Sequence, residues 1–173
     1  MEQEAAIASR IDALSKSIKA TTSTSLTVNV PEDSTLNEFV KAVRLVNMDK
    51  NFTANITITI VVGKGEHQID GNYLKIVSAM NIVGDPGVAK EEIVVVGGGI
   101  GFMSGIQGNC HLQHMTLRQA KKSGVMGESS FTMEDVLVEQ CGAGVFANGT
   151  GVVGRCTNVE VRQCGLSLSL IHI

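Results

Sequence analysis

"VLVEQCGAGV" occupies residues 136–145, and its first five residues decide the fold. They read apolar, any, apolar, charge, Gln. The same pattern stands upstream as "MTLRQ" (115–119) and downstream as "VEVRQ" (159–163). A strand turns alternate side chains to opposite faces, so Met115 and Leu117, Val136 and Val138, and Val159 and Val161 share one face. A strand unit repeating at about twenty residues is the mark of a solenoid, whose coils bury their apolar sides only by stacking.

Each repeat carries further apolar bursts. Cys110 and Leu112 precede the first motif, Phe131 and Met133 the second, and Cys156 the third; "GVM" (124–126) and "GVF" (144–146) follow the first two. Several short strands per coil, parted by Gly or polar corners, describe a parallel β-helix. "MNIVG" (80–84) fits the motif's slot, with Met80 and Ile82 inward. That assignment makes a longer coil, running from 80 to 115, and the excess falls in "DPGVAKEE" (85–92) and "GGGIGFMSG" (97–105), both read as loops.

Upstream, residues 1–20 form an amphipathic helix with Ile7, Ile11, Leu14 and Ile18 as its stripe, which caps the solenoid or pairs with a partner helix. Residues 21–25 are a linker. The β-helix domain spans 26–173, with an N-terminal cap over 26–50. Its strand is "LTVNV" (26–30) and its helix starts at a capping box of Thr35 and Glu38, burying Leu36, Phe39, Val40, Val43 and Val46. After "VEVRQCGLS" the chain departs from the pattern and stops at "LSLIHI". The expectation is a domain truncated at its C-terminus, open to end-to-end association through its last coil.

Composition narrows the function. The 173 residues carry 14 Lys and Arg against 17 Asp and Glu, a net charge of −3, with one Tyr, five Phe and no Trp. Neither a basic footprint nor stacking platforms mark a nucleic-acid partner. No run of about 18 apolar residues suggests a membrane span. No signal peptide is visible, so a cytoplasmic location with reduced thiols is the default. The Asn-x-Thr triplets at Asn51, Asn55 and Asn148 would matter only on a secreted chain.

Stacking assigns roles to the columns. Gln119, Gln140 and Gln163 keep the inward parity but fall at a corner, which predicts an amide ladder satisfying groups that burial would leave unpaired. The next column holds Ala120, Cys141 and Cys164: two small buried thiols, near enough for a disulfide on distance alone. Cys110 and Cys156 fall in other columns. Outward lie His114, Thr116 and Arg118, then Asp135, Leu137 and Glu139, then Asn158, Glu160 and Arg162. The column Arg118, Glu139, Arg162 is an ion-pair ladder. These residues (Arg118, Glu139, Glu160, Arg162, His114 and Asp135) are the candidate binding surface. Glu139, Glu160 and Arg162 are the candidate catalytic set, because the two carboxylates sit one coil and two residues apart, about 8 Å between backbones, near the spacing of an inverting pair. The flanking arginines would hold Glu139 ionised, which suits a base or nucleophile and not an acid.

Two other patterns carry less. "VVVGGGIGFMSG" (94–105) misses a dinucleotide loop, with Ser104 at the third Gly position and no helix after it. His111 and His114 are three apart on a strand, hence on opposite faces, so no metal is expected between them.

The stretches "LTVNVPEDSTLNEFVKAV", "ITIVVGKGEHQI" and "YLKIVSAMNIVGD", followed by the aligned coils, resemble the right-handed parallel β-helix proteins of the pectin-lyase-like superfamily over residues 26–167. Closer still, they resemble β-helix repeat proteins of protists that carry no assigned reaction. The resemblance implies a mostly β chain, a right-handed parallel β-helix solenoid with an N-terminal helix and a strand–helix cap. It also implies polysaccharide chemistry on the outer strand face, with acidic residues and, in the lyases, Arg and calcium. The characteristic stretches of those enzymes (Asn-Thr-Asp, Asp-Asp, Gly-His-Gly, Arg-Ile-Lys) are missing, as are aromatic sugar platforms. The expected function is therefore a non-enzymatic binding or scaffold module presenting its strand face to carbohydrate or protein, with no cofactor. The alternative is a polysaccharide lyase, hydrolase or epimerase, or a relic of one.

Overall fold

Val136 pairs with Met115 on one side and Val159 on the other, and Val138 with Leu117 and Val161, all in parallel register. The computed structural model describes residues 5–6, 24–33, 37–48 and 56–171, and among these the chain forms a parallel β-solenoid of five coils. The helix expected over 1–20 and the capping residue Thr35 lie outside the described residues, apart from the helical Ala5 and Ala6.

β1 (Thr24–Val30) begins two residues inside the expected linker and leads to helix α1 (Glu38–Met48). The first coil is β2 (Ile56–Val62), β3 (Gly65–Gln68) and β4 (Tyr73–Ile76); the second is β5 (Asn81–Gly84), β6 (Ile93–Val96) and β7 (Gly99–Phe102). In the later coils the first two strands fuse: β8 (Cys110–Arg118) with β9 (Ser123–Gly127), β10 (Phe131–Glu139) with β11 (Ala143–Asn148), and β12 (Gly154–Arg162) with β13 (Leu166–Ile171). Three sides result. β1, β2, β5 and the first halves of β8, β10 and β12 make one. β3, β6 and the second halves make another. β4, β7, β9, β11 and β13 make the third.

The long strands bend where the two sides meet. Ladder pairing skips His114, Asp135 and Asn158, and these three have φ of 56°, 53° and 51°. A left-handed residue breaks strict alternation, which is why Leu112 and Met115, three apart, both reach the core. His, Asp and Asn are the non-glycine residues that tolerate this conformation best. The second corner is also left-handed. Gly97, Gln119, Gln140 and Gln163 have φ of 93°, 60°, 55° and 54°. The amide ladder is present there: Gln119 Nε2 donates to Gln140 Oε1 at 3.4 Å, and Gln140 Nε2 to Gln163 Oε1 at 3.2 Å. The three side chains are exposed rather than inward, so the ladder holds corners together and does not rescue buried amides.

Register corrects three readings. "MNIVG" stacks on the first half of β8, with Ile82 against Leu112, and does not occupy the slot of "MTLRQ". That slot belongs to "IVVVG" (93–97), where Val95 lies against Leu117 and Val96 against Arg118. On the first side the step from Asn81 to His111 is the longer one; its surplus is residues 85–92, inserted at the corner that His114 fills one coil later. "GGGIGFMSG" contains β7, whose Ile100 and Phe102 are fully buried, and no dinucleotide loop. "LSLSLI" does not break the pattern either: β13 is the third side of the fifth coil, Leu168 against Val145.

The core is the stacked interior: Ile60, Ile82 and Leu112 on one side, Val95, Leu117 and Val138 on another, Ile76, Ile100 and Val125 on the third. α1 covers its first coil with Phe39, Val40, Val43 and Val46. Asn47 fastens it by donating to the Lys75 carbonyl at 2.8 Å and accepting from the Val77 amide at 3.1 Å; Asn37 donates to the Gln68 carbonyl at 2.6 Å. Under the helix, His67 is 1% exposed, edge-on to Phe39, with Nε2 2.8 Å from the Gly63 carbonyl. Burial pushes its pKa down, so it sits in the core neutral.

Gly84 closes the corner at which the inserted segment leaves. A Cβ there would run into the carbonyl oxygen of His114. Gly84→Ala should therefore cost at least about 1–3 kcal/mol by overpacking, read as a lower urea midpoint with an unchanged slope.

Candidate functional site

The second side places Val94 and Val96, Thr116 and Arg118, Leu137 and Glu139, and Glu160 and Arg162 in stacked pairs on its outer surface. The expected ion ladder is there. Arg118 Nε lies 2.7 Å from Glu139 Oε1, and Arg162 Nε 3.0 Å from Glu139 Oε2. Arg162 Nη1 also meets Glu160 Oε1 at 3.5 Å, where Glu160 is 60% exposed. Burial works to raise the Glu139 pKa, but the two guanidinium groups outweigh it and hold the carboxyl below its ordinary value. Glu139 and Glu160 are one coil and two residues apart as expected, since Glu160 stacks on Leu137.

The row is not open along its length. Thr116 is 0% and Leu137 2% exposed, because residues 85–92 fold over them, and Glu139 is 7% exposed between Arg118 and Arg162. The segment starts with the Asp85 amide on the Val62 carbonyl at 2.8 Å. It turns at Gly87, whose amide donates to Asp85 Oδ1 at 2.9 Å, and ends in a 3-10 turn, Lys90–Glu92. That turn packs on β8 and β10. The Thr116 hydroxyl donates to the Lys90 carbonyl at 2.9 Å, and Lys64 Nζ from the first coil reaches Glu92 Oε1 at 3.1 Å. The expectation of a free strand face is corrected by this strap.

His114 and Asp135 are not alternate outward residues of the row, as their parity implied. They stand on the left-handed corner beside the strap. Asp135 Oδ1 accepts from Lys90 Nζ at 2.6 Å and from Asn158 Nδ2 at 3.1 Å, and Oδ2 lies 2.7 Å from His114 Nδ1. The other ring nitrogen, Nε2, is 2.6 Å from the Val88 carbonyl. Both ring nitrogens thus face acceptors, and only the doubly protonated imidazolium donates to both. Burial opposes the charge, yet Asp135 and the Val88 carbonyl prevail and raise the His114 pKa. Bonds from Lys90 and His114 hold Asp135 below the ordinary carboxylate range. The network touches every coil in turn: Lys64, the strap, His114, Asp135, Asn158.

Sequence reasoning missed Lys90 and Val88. The signal was the match of "IVVVG" to "MTLRQ" at the repeat spacing, which leaves 85–92 as an insertion at a corner. His111 stands on the first side, apart from His114, with ring nitrogens 2.6 Å from Thr132 Oγ1 and 2.9 Å from Gln113 Oε1. Among the described residues no three His, Cys, Asp or Glu side chains gather as a metal site. Asp135 and Glu139 have both oxygens engaged by Lys90, His114, Arg118 or Arg162, so neither offers a free oxygen to calcium. All four cysteines are free thiols, and burial pushes Cys141 up to about 11, which keeps it protonated and unreactive.

No family model, curated protein or solved structure matches the chain.

Glu139→Gln should cost about 1–3 kcal/mol, less than a fully buried pair because both arginines reach solvent. The Glu139 contribution is present above its unfolded pKa, near 4.5, and is lost as pH falls through the lower folded value. The acid limb of the pH–stability curve should flatten in the variant, measured by urea unfolding across that range.

Proposed function

We propose that the protein is a non-enzymatic binding and scaffold module, holding an extended acidic partner, polysaccharide or protein, along the exposed edge of its second strand row, Arg118, Glu160 and Arg162, and the adjacent Gln corner. The observation that carries this reading is the saturation of the carboxylates. Each oxygen of Asp135 and Glu139 already accepts from Lys90, His114, Arg118 or Arg162, so both are held as anions and neither is set up to donate a proton as an acid. Glu160 is the exposed carboxylate of the row, with Oε1 3.5 Å from Arg162 Nη1, and Glu139, the other carboxylate of the candidate pair, is committed to the two arginines.

Charge favours an acidic partner. The cluster sets Lys90, His114, Arg118 and Arg162 against Asp135, Glu139 and Glu160, four cations to three carboxylates, on a chain of net charge −3. Lys121 and Lys122 follow at the exposed turn after Gln119. The Gln amides recur once per coil, about 4.8 Å apart, and the Arg118 and Arg162 guanidinium groups two coils apart, about 10 Å, spacings suited to an extended polymer. Kinship with the pectin-lyase-like superfamily belongs to this proposal, supported by three stacked sides per coil and a helix over the first coil. End-to-end association through the fifth coil is also part of it, supported by the half-exposed Val159 and Val161.

The test is incubation with uronic-acid polymers and acidic peptides, with and without calcium. The expected result is retention that weakens with salt and severalfold with Arg162→Ala, and no unsaturated product. Product release lost in Arg162→Ala would establish the polysaccharide lyase instead, and retention indifferent to both Arg118→Ala and Arg162→Ala would remove the row as the binding surface.

A further inference from the structure

Residues 85–92 leave the second coil, return to it, and in between lie across the third and fourth. Their own backbone bonds are few: the Val88 amide to the Asp85 carbonyl at 3.1 Å and the Glu92 amide to the Ala89 carbonyl at 2.9 Å. Beside the packing of the Val88 side chain against the core, three polar contacts tie the middle of the segment to the coils: His114 Nε2 to the Val88 carbonyl, Lys90 to Asp135, and the Thr116 hydroxyl to the Lys90 carbonyl. Beneath it lie Thr116 and Leu137, both sealed from solvent.

We propose that residues 85–92 are a proton-operated strap that His114 fastens over the second strand row. The charged groups facing the ring are Asp135 from β10 and Lys90 from the strap; Asn158 from β12 and Thr116 from β8 are neutral and bond to Asp135 and the strap backbone. Lys90 disfavours the imidazolium, and Asp135 together with the Val88 carbonyl favours it more strongly. When the ring loses a proton, the one kept is on Nδ1, facing the ionised Asp135. Nε2 then turns a lone pair on the Val88 oxygen 2.6 Å away, and attraction becomes repulsion. Lys90 still holds Asp135, so the strap loosens at Val88 and does not leave.

The sign follows from the direction of the shift. The free imidazole titrates near 6.5 and the strapped one higher, so the fastening is complete below the free value and lost as pH rises through the strapped one. The consequence for a ligand, wider access to the row as pH rises, rests on the binding role proposed above; the strap itself does not.

The experiment uses the full chain without ligand. The His114 ring is titrated by NMR from about pH 5.5 to pH 9, the range in which imidazoles change charge, and amide-exchange protection is measured over the same range at Val88 and Glu92. Protection should fall by up to ten raised to the difference between the strapped and the free imidazole pKa, the full factor being reduced because Asp135 still faces the ring once the strap loosens, while amides of Leu117 and Val138 in the core hold theirs. His114→Asn keeps a residue suited to the left-handed corner, as Asn158 shows in the same column, and removes the titration; its strap protection should not vary with pH. Protection that stays flat in the parent chain while His114 titrates, or that falls equally in His114→Asn, overturns the proposal. A His114 ring that titrates at or below its ordinary value does so too. Because no ligand enters, failure here leaves the acidic-partner reading standing, and failure there leaves the strap.

Discussion

A coil can lie flat on the next only if its corners stack on those of its neighbours. In the last three coils two of the three corners are made by single left-handed residues, His114, Asp135 and Asn158 at one and Gln119, Gln140 and Gln163 at the other. Left-handed backbone costs an ordinary residue roughly 1–2 kcal/mol, and the two columns offset it differently. His, Asp and Asn accept the conformation with little penalty. Gln does not share that ease, and there the amide ladder and the amides of Gln119 and Gln140, each on a carbonyl of the following coil, hold the turn. With the corners aligned, Leu117 falls between Val95 and Val138, and the interior closes without further design.

The same alignment organises charge. Residues at equivalent corners stack, so whatever the corner carries becomes a column. At the first corner that column is His, Asp, Asn, and the inserted strap adds Lys90 to it. At the end of the second side the column is Arg118, Glu139, Arg162. In each case a carboxylate lies between cationic or hydrogen-bonding neighbours from the coils on either side, and it is held ionised. Structure and electrostatics thus work in one direction: the groups that look reactive in the linear sequence are the ones that lock coil to coil. What reaches solvent is the outer edge of the row, Arg162, Glu160 and part of Arg118, with the Gln corner alongside.

Much of this is legible in the residues. Val136 and Val138 against Met115 and Leu117 carry the register, because a strand's alternation and a coil-length repeat coincide only in a stacked strand. Arg118, Glu139 and Arg162 follow from that register alone, as does the Gln ladder. "MNIVG" reads one side too late in its coil because inward-any-inward describes both halves of β8, and no local pattern separates them. The left-handed corner hides the break in parity that would do so, although His, Asp and Asn in one column are its trace. The strap cannot be read from 85–92: its few local turns are ordinary, and its anchors His114, Asp135 and Lys64 are all remote along the chain. "LSLSLI" hides for a similar reason, since its pairing partner β11 shows in the sequence only as the short burst "GVF".

Registration of coil on coil is tested most directly by cysteine pairing on the open first side. Thr132 stands opposite Arg155 in parallel register, and both are exposed. In a background with Cys156→Ser, Thr132→Cys with Arg155→Cys should close a disulfide readily on mild oxidation, since neighbouring strands lie about 4.8 Å apart. Glu134→Cys with Arg155→Cys, two residues out of register and about 8 Å apart, lies beyond the span of a relaxed disulfide and should stay reduced. Ready closure of the second pair, or none of the first, would contradict the stacked-coil account.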